Sequence, residues 1–274
     1  MIKRVLIPIG DNGLNENIIR YAAHVFPLAQ FFVLSVVNTY ERGISLTDLL
    51  FQELSATAKK EIQKATQILK EENITNVTAT VLEGLPGKVV VNYAKKNNIN
   101  LILLYIDSKK AQQSYYKMGI TTRQIIKNCQ TPVMTVTTEV SRFPIKNVLF
   151  TTDGRKKSQR AKNFSLLFCS YFKAKLEVLH VILPNENEKH ATNILNDIEW
   201  KASFVHVEVK KSLDEGNVIE CILKHSQDND VVVMGIERKF LFWHFLGRVT
   251  QTVVTKPSIP VILVHYFKEK RQLK

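Results

Sequence analysis

The chain has 274 residues, 45 % of them hydrophobic, and a formal net charge of +13 at pH 7. This length suggests roughly two domains of about 100–200 residues, each apolar enough to bury a core. No run of about 18 apolar residues occurs, so no membrane-spanning helix is expected, and the positive balance points to anionic partners or to a solvated, lysine-rich surface.

Met1-Ile2-Lys3-Arg4-Val5 enters an apolar strand at once, without the hydrophobic region and cleavage site of a leader. That first strand, Ile2–Ile9, precedes a helical pattern over Leu14–Phe26 and a second apolar strand, Phe31–Val37. Ser45-Leu46-Thr47-Asp48 resembles a capping box before a long helix reaching about Glu72. A third strand fits Asn76–Leu82, Gly87 opens a helix, and Asn100–Leu104 is a fourth strand. Gly119-Ile120-Thr121-Thr122 then opens a helix that leads to Thr131-Pro132-Val133-Met134-Thr135-Val136. After a short linker, Glu139–Pro144, the pattern starts again.

The second pass reads Ile145–Thr152 as strand, Lys156–Phe172 as helix and Leu176–Ile182 as strand. A shorter helix at Asn187–Trp200 and a third strand at Ser203–Val209 follow. Gly216 opens the next helix, Asp230–Met234 is the fourth strand, and Gly247-Arg248-Val249-Thr250 leads to Ile259-Pro260-Val261-Ile262-Leu263-Val264. In both copies Gly, a Thr three residues on and a Pro thirteen residues on frame a helix that feeds an apolar strand. An internal repeat of this kind decides the fold. The expected domains are 1–140 and 145–267, with a fraying basic tail at 268–274. Wholly apolar strands alternating with helices imply an α/β chain of two tandem Rossmann-like, doubly wound parallel sheets, and the order taken for each is 3-2-1-4-5.

In such sheets ligands bind at the carboxyl ends of the strands, where strand order reverses. In the second copy that point gathers Thr151-Thr152-Asp153-Gly154 and Met234-Gly235-Ile236. Gly247 opens the following helix, whose free N–H groups suit an anion. An acidic group, a glycine for close approach and a helix N-terminus together suit a mononucleotide.

These residues make nearly the whole chain resemble two fused copies of the universal stress protein (UspA-like) family. That family's pattern has a first strand ending in Asp, a fourth strand reading roughly D-L-I-V-M-G, a glycine loop, a helix and P-V-L-V-V. The second copy matches with Val148–Asp153, Asp230–Gly235, Gly247 and Pro260–Val264. The resemblance implies ATP or AMP as ligand, with nucleotide-contacting roles for Thr151, Asp153, Val181, Met234, Gly235, Gly247 and Val249. Arg248 stands where the family has a hydroxyl residue, either gripping a phosphate or facing water. Arg155, Lys156 and Lys157 pose the same question, and Arg238 replaces the middle glycine of the loop. In the first copy Gly10 takes the place of the strand-ending Asp, with Asp11 one residue late, and Tyr105 replaces the fourth-strand glycine. Any nucleotide is therefore expected in the second copy. The resemblance also implies a pseudo-dimer of the two halves through their last strands, Val133–Thr137 and Val261–His265, with a homodimer of whole chains left open.

No catalytic constellation stands out. The seven histidines lack H-x3-H or HExxH spacing, so no metal site is expected. His180 ends a second strand and reads as a core or edge residue. Helix-turn-helix, RNA-recognition and zinc-finger patterns are missing, and a nucleic-acid partner is not expected. Cys129, Cys169 and Cys221 read as free thiols in a reducing cytoplasm, the expected location. The leading reading is a non-catalytic, cytoplasmic stress-response binding module with an adenine nucleotide in its second half. The alternative is a nucleotide-independent scaffold that recruits protein partners through the aromatic loop 239–246. An ATP-consuming enzyme is the third reading.

Overall fold

The computed structural model describes residues 2–10, 13–39, 48–107, 118–137, 143–155, 158–237, 247–256 and 259–266. Asp11, the Ser45–Thr47 part of the capping box, most of the linker at 139–144, Lys156, Lys157, Arg238, loop 239–246 and the basic tail lie outside these residues. The chain divides into two compact units, with the boundary between Pro144 and Ile145.

In the N-terminal unit β1 (Arg4–Ile9), α1 (Glu16–Val25), β2 (Gln30–Val37), α2 (Asp48–Glu71) and β3 (Val77–Glu83) come first. They are followed by α3 (Pro86–Lys96), β4 (Leu101–Ile106), α4 (Ile120–Asn128) and β5 (Val133–Thr137). The strands run parallel in the order β3-β2-β1-β4-β5. Val5, Leu6, Phe31, Val33, Leu34, Leu101, Ile102 and Leu103 are buried, because helices cover both faces of the sheet.

The C-terminal unit repeats the order with β6 (Asn147–Thr152), α5 (Gln159–Phe172), β7 (Lys175–Ile182), α6 (Glu188–Ser203) and β8 (Val209–Glu215). Then come α7 (Val218–His225), β9 (Val231–Glu237), α8 (Arg248–Thr255) and β10 (Val261–Tyr266). Its strands are also parallel, in the order β8-β7-β6-β9-β10. Asparagine side chains cap several helices: Asn15 accepts from the Ile18 N–H, Asn187 from Lys189 and Asn217 from Ile219.

Both units pin their first strand with the residue just before the fourth. Asn100 Oδ1 accepts from the N–H groups of Lys3 and Arg4, each at 3.0 Å. Asp230 Oδ2 accepts from Lys146 and Asn147, each at 2.8 Å. These donors lie at the entry of the first strand of each unit, where a backbone N–H needs a partner.

One strand lies later than expected. The apolar alternation of Ser203–Val209 suggests a strand, but α6 runs through Ser203 and a turn follows, with His206 at a positive φ of 55°. The N–H of Val207 returns to Ala202 O, which leaves Val207 buried beneath the helix end. The real strand is β8, Val-Lys-Lys-Ser-Leu-Asp-Glu. It lies at the sheet edge, so its pattern is too polar to read as a buried strand.

Candidate functional site

The carboxyl ends of β6, β7 and β9 border a cavity of about 880 Å³ in the C-terminal unit. It sits where strand order reverses: Thr151 of β6 pairs with Met234 of β9 on one side, and Thr152 pairs with His180 of β7 on the other. The size lies within the range of about 300–1,000 Å³ common to small-molecule sites.

The turn after β6 is tightly specified. Thr152 Oγ1 accepts from the Gly154 N–H at 3.1 Å and donates to Ser158 Oγ at 3.1 Å, while Ser158 Oγ donates to Arg155 O at 2.7 Å. Asp153 Oδ1 accepts from the Arg155 N–H at 3.1 Å, and its Oδ2 lies 3.7 Å from Arg155 Nε. Gly154 has φ +70°, and a Cβ there would run into Ile194 of α6. Both the left-handed backbone and the close packing require glycine.

A second set of bonds holds the segment after β7 along the cavity. His180, 2 % exposed, has Nδ1 3.1 Å from Thr152 O and Nε2 2.9 Å from Glu186 Oε1. Glu186 Oε2 accepts from the Leu183 N–H at 3.1 Å. Burial acts to raise the Glu186 pKa, but the Leu183 N–H and the His180 ring outweigh it, so the net shift is downward.

Of the residues singled out in the sequence, Thr151, Asp153, Val181, Met234, Gly235 and Val249 all line this cavity. Gly247 caps α8 with backbone alone, and Arg248 is the first residue of that helix; both are exposed and stand outside the cavity wall. Sequence reasoning placed Thr152 at the strand end without giving it a role, passed over Ser158, Glu186 and His190, which also line the cavity, and gave His180 only a core or edge role. His180 is at once buried and part of the wall. Its place at the end of β7, beside Thr152, was the signal that could have marked it.

The corresponding cavity of the N-terminal unit measures about 280 Å³. Tyr105, the fifth residue of β4, lines it where the fifth residue of β9 is Gly235. Gly10 follows β1 where Asp153 follows β6. Among the described residues, no group of three or more His, Cys, Asp or Glu is placed to hold a metal, and no helix is long and apolar enough to cross a membrane.

The family model described as "Universal stress protein family" matches residues 1–137. A comparison with curated proteins finds no match. Among solved structures, the chain is similar to a universal stress protein from Archaeoglobus fulgidus DSM 4304 at 17 % identity. That match covers 98 % of each chain with a TM-score of 0.77. It is also similar to a functionally unknown protein from Pseudomonas aeruginosa PAO1, at 13 % identity over 97 % of this chain and 93 % of the other, with a TM-score of 0.63. A shorter match is a universal stress protein from Archaeoglobus fulgidus in complex with dAMP. It has 16 % identity over 46 % of this chain and 100 % of the other, with a TM-score of 0.36. The parallel order of each unit and the family match agree: the chain belongs to the universal stress protein family.

Proposed function

We propose that this chain is a non-catalytic binding module that holds one adenine nucleotide, ATP or AMP, in its C-terminal unit. The observation that carries this reading is the contrast between the two cavities. The one built on Asp153 and Gly235 has about 880 Å³, and its counterpart built on Gly10 and Tyr105 has about 280 Å³. Buried Val181 and Met234 supply apolar wall for a base. Asp153 supplies an acceptor for ribose hydroxyls, and the uncapped N–H groups at the start of α8 supply donors for phosphate. The polar groups of the wall are engaged with one another, as in Thr152–Ser158 and His180–Glu186, which favours holding a ligand over transforming it.

The test is calorimetric titration of the purified chain with AMP and ATP, repeated on Gly235→Tyr. That substitution places in the C-terminal unit the side chain that the N-terminal unit carries. Loss of at least tenfold in affinity is expected, corresponding to about 1.4 kcal/mol or more. Undiminished binding by Gly235→Tyr would sink the assignment. Nucleotide recovered intact after prolonged incubation supports a binding role, and its hydrolysis counts against one.

A further inference from the structure

A second cleft, of about 270 Å³, opens between α5 and α6 and shares Thr152, Gly154, Arg155, Ser158 and His190 with the nucleotide cavity. Its other polar lining includes Lys162, Asn193 and Asp197. Lys162 is the fourth residue of α5 and is only 7 % exposed. The fourth residue of α1, at the same place in the N-terminal unit, is the fully buried Ile19. One copy therefore keeps an ammonium group where the other keeps a hydrocarbon. Such a replacement costs free energy unless the charge meets a partner.

The partner present is shared. Lys162 Nζ lies 2.8 Å from Asp197 Oδ2, and Lys201 Nζ lies 2.8 Å from Asp197 Oδ1. Two ammonium groups lean on one carboxylate, which is itself about half exposed, so the cluster carries one positive charge in excess. Burial lowers the Lys162 pKa in spite of Asp197, which marks its charge as under-compensated. Arg155, which lines both cavities, adds a further cation beside Asp153.

We infer that this cleft is an anion subsite continuous with the nucleotide cavity, and that it receives a second phosphate on the 2′ or 3′ oxygen of the bound ribose. The inference rests on the nucleotide reading above. A ribose set against Asp153 has its hydroxyl edge next to Arg155, where the two cavities meet. The ligand class is then a nucleoside bisphosphate, with a 5′ phosphate toward α8 and a ribose phosphate toward Lys162.

The experiment titrates the full chain with AMP, adenosine 2′,5′-bisphosphate and adenosine 3′,5′-bisphosphate, and follows its melting midpoint with inorganic phosphate alone. One of the bisphosphates should bind about tenfold tighter than AMP, the usual worth of one charge-assisted contact. Lys162→Met should erase that preference and leave AMP affinity unchanged. Lys201→Gln, at a more exposed position, should reduce the preference and serves if Lys162→Met does not fold. Asp197→Asn removes the competing carboxylate and should increase the preference. A purely structural Lys162–Asp197 bridge would move the melting midpoint in Lys162→Met and Asp197→Asn and leave the affinity ratio alone in all three variants. Equal affinity for AMP and both bisphosphates overturns the subsite and leaves the nucleotide reading standing. If no nucleotide binds, a midpoint shift by inorganic phosphate that Lys162→Met abolishes still supports the anion subsite; absence of that shift as well overturns both.

Discussion

Glu177 lies in the middle of β7, 6 % exposed, at the position that Phe32 occupies in β2 of the N-terminal unit. Four groups surround its carboxylate. Ser212 Oγ donates at 2.7 Å, Asn229 Nδ2 at 2.8 Å and Lys210 Nζ at 2.9 Å, and His225 Nδ1 lies at 2.8 Å. The other ring nitrogen of His225 faces Asp214 Oδ2 at 3.1 Å. Burial alone would raise the pKa of Glu177, but hydrogen bonds from Asn229, Lys210, Ser212 and His225 reverse this and bring it to about 2. An unfolded glutamate titrates near 4.3, so the stabilisation is fully present above that pH and is lost as the pH falls toward about 2. The shift corresponds to roughly 3 kcal/mol. Urea unfolding at pH 7 and pH 3 should show a smaller acid-induced loss for Glu177→Gln than for the natural chain, although the variant starts out less stable. Equal losses would show that this carboxylate does not govern acid sensitivity.

At the scale of elements, α8 is the informative helix. It starts at Arg248 after Gly247, with no side chain capping its first turn and no acidic residue there. A cation at this end opposes the helix dipole by about 0.3–1 kcal/mol. Arg248 is exposed and outside the cavity wall, so it can reach only the outer part of a ligand that extends toward α8. Arg248→Ala should accordingly raise the melting midpoint slightly and leave AMP affinity unchanged. Affinity for the longer ATP should fall by about 1.5–3 kcal/mol, the worth of a charged hydrogen bond. Paired titrations with the two nucleotides check this, and identical ATP affinity would remove Arg248 from the site. The strand at Ser203–Val209 carries the opposite lesson. Local alternation pointed to strand, yet α6 continues and the edge strand β8 is formed by a polar segment. Edge position relaxes the demand for apolar residues, and that position is a property of the sheet, invisible in a seven-residue window.

For the whole molecule, the proposed function together with the unequal cavities predicts one nucleotide per chain despite two copies of the fold. A calorimetric stoichiometry near one is expected, and Tyr105→Gly should not by itself create a second site, because Gly10 still lacks the carboxylate that Asp153 provides. A stoichiometry of two in the natural chain contradicts this. The repeat and the alternation of apolar strands with helices were legible from residue order alone. They follow from periodic hydrophobicity and from turn residues, which act over a few neighbouring positions. The strand-end residues Thr151, Asp153, Met234 and Gly235 were legible for the same reason, since a parallel sheet must bring its carboxyl ends together. Other features required side chains far apart in the chain to meet: Gly154 against Ile194, Lys162 against Asp197, and Glu177 among Lys210, Ser212, His225 and Asn229. Packing and charge compensation across such separations depend on distances that only the folded chain defines. They decide how large each cavity is, and which buried charges the fold tolerates.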